Sequence, residues 1–347
     1  MRRGLRTWIS ATLLVCLLAG LAGCGAEAAE PAEEAARYDA VDFVMGTVVS
    51  ITIYTTGEDV TGDIPPLLSG LEDQWISWRK EGSELARINA NAGTPTALSD
   101  QMAAYIEKAL AVAKDSGGAF DPTLRDLSAL WDFESGNAVV PPEAEIAALL
   151  PYVGYEKISL DGSTVLLPEG TGIDLGAIGK GFGCDAIQAY LEARPEITGA
   201  LINIGGSSTI TYGTKDDGQP WKIAVQDPRD PTGYLGALTL TGTWHVSTSG
   251  DYDRYFEKDG VRYHHILDPQ TGYPAGSGLM SVTVISDGGG VSDALSTACF
   301  VLGPEASMAL LEQYGAEAIF VDVNKNVTVT DGIRAQFELT AADYRMV

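Results

Sequence analysis

The spacing of apolar residues limits the fold of this chain most, because it alternates between helical and strand periods in uneven groups. In residues 99–116, Met102, Ile106, Leu110 and Val112 lie largely on one helical side. Ser99 is suited to cap that helix and Gly117 to end it. Helices are also expected over 65–78, 178–191, near 291–301 and over 306–314, with short ones after Ser83 and after Pro141-Pro142. Residues 41–54 read as a β-branched strand interrupted at Gly46, and strands are expected at 200–204, 221–225, 279–286 and 318–329. Hairpins are expected over 157–167, turning at Asp161-Gly162, and over 254–263, turning at Asp259-Gly260. Such grouping predicts the α+β class rather than a doubly wound sheet.

The N-terminus reads as a targeting segment rather than part of the fold. Arg2, Arg3 and Arg6 precede an apolar run from Ile9 to Leu21, which is short for a membrane span. The run ends in Leu21-Ala22-Gly23-Cys24, similar to the lipobox that directs lipid attachment to a cysteine. Residues 1–23 are therefore expected to be a lipoprotein signal peptide, with Cys24 the lipidation site. An ordinary signal cleaved near residues 26–29 is the alternative. Residues 24–39 are assigned to a flexible tether on their Ala/Glu/Pro content, and 40–347 to the functional domain. The expected location is the extracytoplasmic face of the bacterial cell membrane.

Loss of the signal leaves 19 basic against 47 acidic residues, a net charge near −28. That surface repels nucleic acid, and no basic stripe with aromatics offsets it. An anionic ligand therefore needs a local cation. Outside the signal and Cys24, only Cys184 and Cys299 remain. An extracytoplasmic protein can pair them, or they can serve as small buried hydrophobes.

Several segments carry residues suited to a phosphate ester. Residues 174–181, Asp-Leu-Gly-Ala-Ile-Gly-Lys-Gly, open a helix whose free N–H groups favour phosphate. Lys180 lies in its first turns and Asp174 just before it; a plain helix start with a solvated lysine is the bland reading. Asp293 and Thr297 are i and i+4 on an expected helix, so their oxygens share a face. With a backbone carbonyl near Ala177 they make an oxygen-only set suited to Mg²⁺, although a capping Asp and a buried Thr have the same spacing. Ala119-Phe120-Asp121-Pro122-Thr123 forms a tight loop that can meet a flat ring, and Gly205-Gly206 closes an apolar strand. The chain has three histidines, two of them adjacent. His265 is a candidate general base, and Asp268 either orients an imidazole or acts as base itself. His245 reads as structural.

Taken together, these motifs resemble the ApbE family, the FAD:protein FMN transferases. The resemblance runs from Met45-Gly46-Thr47 through Ser83-Glu84-Leu85 with Asn89, 118–123, 174–181, 203–206, Thr248-Ser249-Gly250-Asp251-Tyr252, and His265-Ile266-Leu267-Asp268-Pro269 with Thr271-Gly272, to 293–297 and Gly303. It implies a two-lobed, T-fold-like α+β structure of mixed sheets with packed helices. It implies a membrane-anchored lipoprotein that binds FAD with Mg²⁺, releases AMP, and attaches FMN to a Thr or Ser of an acceptor flavoprotein subunit of a membrane redox complex. By this resemblance Met45, Ala119, Phe120, Asp121, Asp174, Lys180 and Ile266 line the FAD site, and Ala177, Asp293 and Thr297 hold Mg²⁺. Where relatives often carry an aromatic after a Ser, this chain has Ile76-Ser77-Trp78-Arg79, which makes Trp78 the stacking candidate. Two other readings share the pocket: a Mg²⁺-dependent FAD pyrophosphatase and a non-catalytic flavin-binding lipoprotein.

Overall fold

The computed structural model describes residues 34–136 and 138–347. The expected signal peptide, Cys24 and the tether up to residue 33 lie outside the described residues. The chain enters as a hairpin of β1 (Ala36–Val44) and β2 (Thr47–Thr55). It continues through α1 (Ile64–Leu71), α2 (Glu84–Ala90), β3 (Thr96–Ala97) and α3 (Asp100–Asp115). Two short helices, α4 (Arg125–Trp131) and α5 (Glu143–Leu149), precede a small hairpin of β4 (Ser159–Asp161) and β5 (Thr164–Leu166). Next come α6 (Gly176–Glu192), β6 (Ile197–Ile204), β7 (Ser208–Gly213), β8 (Trp221–Asp227), β9 (Asp230–Leu240) and β10 (Trp244–Gly250). The hairpin β11 (Tyr255–Lys258) and β12 (Val261–His264) is followed by β13 (Leu279–Ser286), α7 (Gly289–Leu302), α8 (Pro304–Gln313) and β14 (Glu317–Asp322). The chain closes with β15 (Asn326–Val329), β16 (Phe337–Leu339) and β17 (Arg345–Met346).

Nine strands form the main sheet in the order β1-β2-β6-β7-β10-β13-β14-β15-β17, all antiparallel except the final parallel pair. The period of two along its central strands separates two cores. On β14, Ala318 and Phe320 pack against the helices, while Ile319 and Val321 join Ile223, Leu235 and Leu238 of the small β16-β9-β8 sheet. At the other end, Val49, Ile51 and Ile53 of β2 meet Ile64 and Leu68 of α1 and Ile187 and Leu191 of α6. The result is a helical layer, a mixed central sheet and a small covering sheet, the expected α+β class with mixed sheets. Residues Ala35–Val347 form one compact unit.

The expected caps are in place. The Ser83 hydroxyl accepts from Ala86 N at 3.0 Å, and the Ser99 hydroxyl accepts from Met102 N at 3.1 Å. Residues 36–39 are a correction: the sequence assigns them to the tether, but they begin β1. Arg37 and Asp39 make the start of that edge strand polar, so residues 36–39 carry no apolar strand signature, unlike Val41–Val44. β7, β9, β10 and α4 also escape the sequence reading. β9 contains Pro231, Gly233 and Gly236. β10 turns Ser247 and Ser249 onto Ser292 and Ser296 of α7, each at 2.8 Å, in place of an apolar face. Cys184 and Cys299 are both free and buried, with burial raising each thiol. Among the described residues no helix is long and apolar enough to cross a membrane.

One contact sets how closely α6 and α7 approach. A Cβ on Gly181 of α6 would lie 2.2 Å from the Gly289 carbonyl oxygen and 2.7 Å from the Asp293 Cβ, both on α7. Backbone therefore meets backbone there, and only glycine permits it. Gly181→Ala is expected to destabilise the protein by about 3 kcal/mol, read as a melting temperature roughly 5 °C lower.

Candidate active site

A cavity of about 540 Å³ opens where several loops meet the start of α6 and the Asp293 and Thr297 side of α7. Its walls come from the β1–β2 turn, residues 76–79, residues 119–124, the start of α6, the β6–β7 turn, the end of β10, residues 265–267, and α7. Internal hydrogen bonds fix this assembly. The Asn89 side chain donates to Ile173 O at 2.8 Å and accepts from Ile173 N at 2.7 Å, and Asp174 N donates to Pro122 O at 2.7 Å. Asn89, which entered only as part of a motif, thus positions the segment that carries Asp174.

The β1–β2 turn holds Met45 and Gly46 at φ 54° and 68°, the left-handed pair of a two-residue hairpin. A methionine in that conformation costs roughly 1 kcal/mol. The turn thereby places Met45 in the cavity wall and near Gly183 of α6.

The anion side of the cavity is built from α6 and α7. Asp293 is buried, and its Oδ2 accepts from Gly181 N at 2.8 Å. Burial pushes its carboxyl up to about 6, against the pull of the Lys180 charge and the Gly181 hydrogen bond. Thr297 Oγ1 lies 3.2 Å from Ser249 Oγ, and Lys180 Nζ donates to Ser207 Oγ of the β6–β7 turn. Among the described residues no group of three or more His, Cys, Asp or Glu is arranged to hold a metal. A single carboxylate, a hydroxyl and the Ala177 carbonyl fit a hard cation that takes its remaining ligands from water and phosphate, as Mg²⁺ does.

The cavity also has an apolar lining. Met45, Trp78, Phe120 and Ile266 line it, with Ala119 at the loop edge. Trp78 Nε1 is buried and lies close to the Asp174 carboxyl, whose charged form it favours, without meeting it at full hydrogen-bond geometry. The Asp174 carboxyl is raised by burial, opposed by the Gly176 N–H and the charge of Arg79. Asp121 lines the cavity, but its carboxylate is already engaged. Oδ1 accepts from Thr123 N and Oγ1 at 2.8 and 2.6 Å, and Oδ2 accepts from Tyr155 N at 2.9 Å. Its first task is therefore to shape the loop.

His265 and Lys180 share this cavity, and His264 turns away. His264 Nε2 lies 3.2 Å from Ala275 O, with its ring edge-on to Phe300. His265 Nδ1 is buried and unpartnered, leaving Nε2 as the nitrogen open to the cavity. Burial, with Arg254, His264 and Lys180 nearby, holds this imidazole well below 6.5. His245 is structural, bonded to Gln188 Oε1 at 2.7 Å.

Asp268 departs from expectation. It does not line the cavity. Its Oδ1 accepts from Gln270 N at 2.8 Å, and its carbonyl accepts from Gly272 N at 2.8 Å. The Asp-Pro pair makes a turn, and no hydrogen bond joins Asp268 to His265 among the described residues. All the other expected site residues from Met45 to Thr297 line the one cavity.

Sequence reasoning missed the charged mouth. Glu134 receives Arg79 at 3.1 Å and Arg254 at 2.7 Å, and the Arg79 guanidinium lies 4.1 Å from the Trp78 ring centroid. Arg79 beside Trp78 and Arg254 near the histidine pair offered a signal. Glu134 sits in a loop with no motif.

Comparison with known proteins agrees with this picture. The model of the ApbE family matches residues 45–320. A FAD:protein FMN transferase of Treponema pallidum is 35% identical over 92% of this chain and 93% of its own length. One from Vibrio cholerae is 33% identical over 95% and 96%. Among solved structures, the Pseudomonas stutzeri flavinyl transferase ApbE in its apo form is 32% identical. It superposes with a TM-score of 0.77 over 90% of this chain and all of that one.

Proposed function

The chain belongs to the ApbE family and is a FAD:protein FMN transferase; from that premise we propose that the cavity at the start of α6 holds FAD and delivers FMN to a protein hydroxyl. The observation that carries this reading is the convergence of Lys180, Asp293, Thr297, His265 and the apolar wall on one cavity. A flat ring system lies against Met45, Trp78, Phe120 and Ile266, and the diphosphate lies against the first turns of α6, where free N–H groups and Lys180 offset its charge. Asp293, Thr297 and the Ala177 carbonyl would hold Mg²⁺, which would supply neutralisation of charge developing on phosphate oxygens.

Transfer joins the acceptor Thr or Ser Oγ to the phosphorus nearer the flavin and breaks the bond from that phosphorus to the oxygen leaving with AMP. Nε2 of His265 takes the hydroxyl proton. Its depressed basicity keeps it neutral at pH 7, ready to accept. Lys180 faces the leaving phosphate, and positioning with electrostatics supplies most of the rate.

The acceptor is assigned to a flavin-carrying subunit of a membrane redox complex, and the enzyme to the extracytoplasmic membrane face through a lipid on Cys24. The family resemblance supports the first assignment and the Leu21-Ala22-Gly23-Cys24 run the second. The reaction is tested by incubating the protein with FAD, Mg²⁺ and an acceptor domain. A flavin-fluorescent acceptor band after denaturation is expected, with AMP released in equal amount. AMP without a labelled band would mean that water, not a protein hydroxyl, is the acceptor.

A further inference from the structure

We propose that the outer face of the β1–β2 hairpin is the docking surface for the acceptor protein, a deepening that rests on the transferase reading above. The hairpin is amphipathic in an unusual way. One face of β2 is buried through Val49, Ile51 and Ile53. The other leaves Val41 at 72%, Phe43 at 68% and Val48 at 52% exposure. Phe43 stands directly opposite Val48 in the register, and Val41 is two residues from Phe43 on the same strand. The three side chains therefore form one apolar patch. β1 is also an edge: among the described residues no strand pairs with its outer side. A nine-residue edge strand carrying exposed apolar groups invites pairing, and proteins usually blunt such edges unless they use them.

Its position indicates the use. The hairpin ends in Met45, Gly46 and Thr47, which line the cavity. Transfer requires the acceptor hydroxyl within roughly 3.5 Å of the phosphorus, so the acceptor must cover the cavity mouth. The hairpin offers that partner a free backbone edge for strand addition and an apolar patch for its side chains. A membrane surface fits less well. On the patch's own face Asp39 is already paired with Arg37 at 2.8 Å, leaving no basic group there to meet a headgroup, and the chain carries a net charge of −25, which an anionic bilayer repels.

The test uses a recombinant acceptor domain that the wild-type protein labels, with Val41→Glu/Phe43→Glu as the variant. Both positions are solvent-facing, so unchanged melting confirms an intact fold. We expect kcat/KM for the acceptor to fall at least about tenfold, through KM, as loss of a docking anchor does. The FAD dissociation constant should stay unchanged, and Phe43→Leu should retain wild-type labelling. Labelling of the acceptor at the wild-type kcat/KM by the double variant would overturn the proposal, as would parallel loss of FAD binding. So would unchanged labelling with lost sedimentation on phosphatidylethanolamine/phosphatidylglycerol vesicles, which would make the patch a lipid contact. Failure of the transferase reading looks different: the wild-type protein itself would release AMP and label nothing.

Discussion

Replacing Asp293 by asparagine is expected to reduce FMN transfer by about 10²–10³-fold while raising the thermal stability of the metal-free protein at pH 7.5. The two effects have one cause. Asparagine keeps an oxygen for Gly181 N but loses the charge that a divalent cation needs. In the metal-free protein that same charge is a burden. Burial lifts the Asp293 carboxyl from 3.8 to about 6. Below pH 3.8 the group is protonated whether the chain is folded or not, and it costs nothing. Between 3.8 and 6 the unfolded chain gives up its proton first, so stability falls as pH rises. Above 6 the cost is complete, on the order of 3 kcal/mol. Asp293→Asn removes it, and in EDTA its melting temperature should exceed that of the wild type by roughly 4–5 °C at pH 7.5, with the gap about halved at pH 5 and closed near pH 3.8. Excess Mg²⁺ should raise the wild-type melting temperature and leave the variant unmoved. A variant that melts lower than wild type in EDTA, or that still responds to Mg²⁺, would remove Asp293 from the metal site.

His265→Ala is the second large effect. Transfer should fall by about 10²–10⁴-fold, with FAD affinity changed by no more than about threefold, since the imidazole meets the acceptor proton rather than the diphosphate. The pH profile of the wild type should carry the same signature. A base held well below 6.5 is already neutral across the physiological range. The rate should therefore stay flat from about pH 6.5 to 8 and drop only where acid protonates the imidazole. Single-turnover labelling of an acceptor across pH measures this. Retention of more than a tenth of the wild-type rate by His265→Ala would assign proton removal elsewhere.

The chemistry of this site was more legible in the sequence than its architecture. Lys180, Asp293 and Thr297 stand in short motifs where glycine spacing and an i, i+4 pair already imply a shared face, and the cavity brings them together. β10 left no strand pattern, because Ser247 and Ser249 replace apolar side chains with hydroxyls bonded to α7. β1 begins with charged residues and reads as tether until its register with β2 is known. Asp268 illustrates the opposite failure. An aspartate three residues after a histidine suggests catalysis, but the Asp-Pro turn spends its oxygen on Gln270 N. Glu134 was invisible, because ion pairs to Arg79 and Arg254 are tertiary facts.

The central claim is that one divalent cation, held by α7 and the start of α6, grips the diphosphate of FAD beside Lys180. Crystals grown with FAD and Mn²⁺, examined by anomalous diffraction, test it most directly. A single peak should lie within about 2.0–2.3 Å of Asp293, Thr297 and the Ala177 carbonyl, with phosphate oxygens completing its shell. FAD bound in the cavity with no metal peak at these three residues, or with the metal elsewhere, would contradict it.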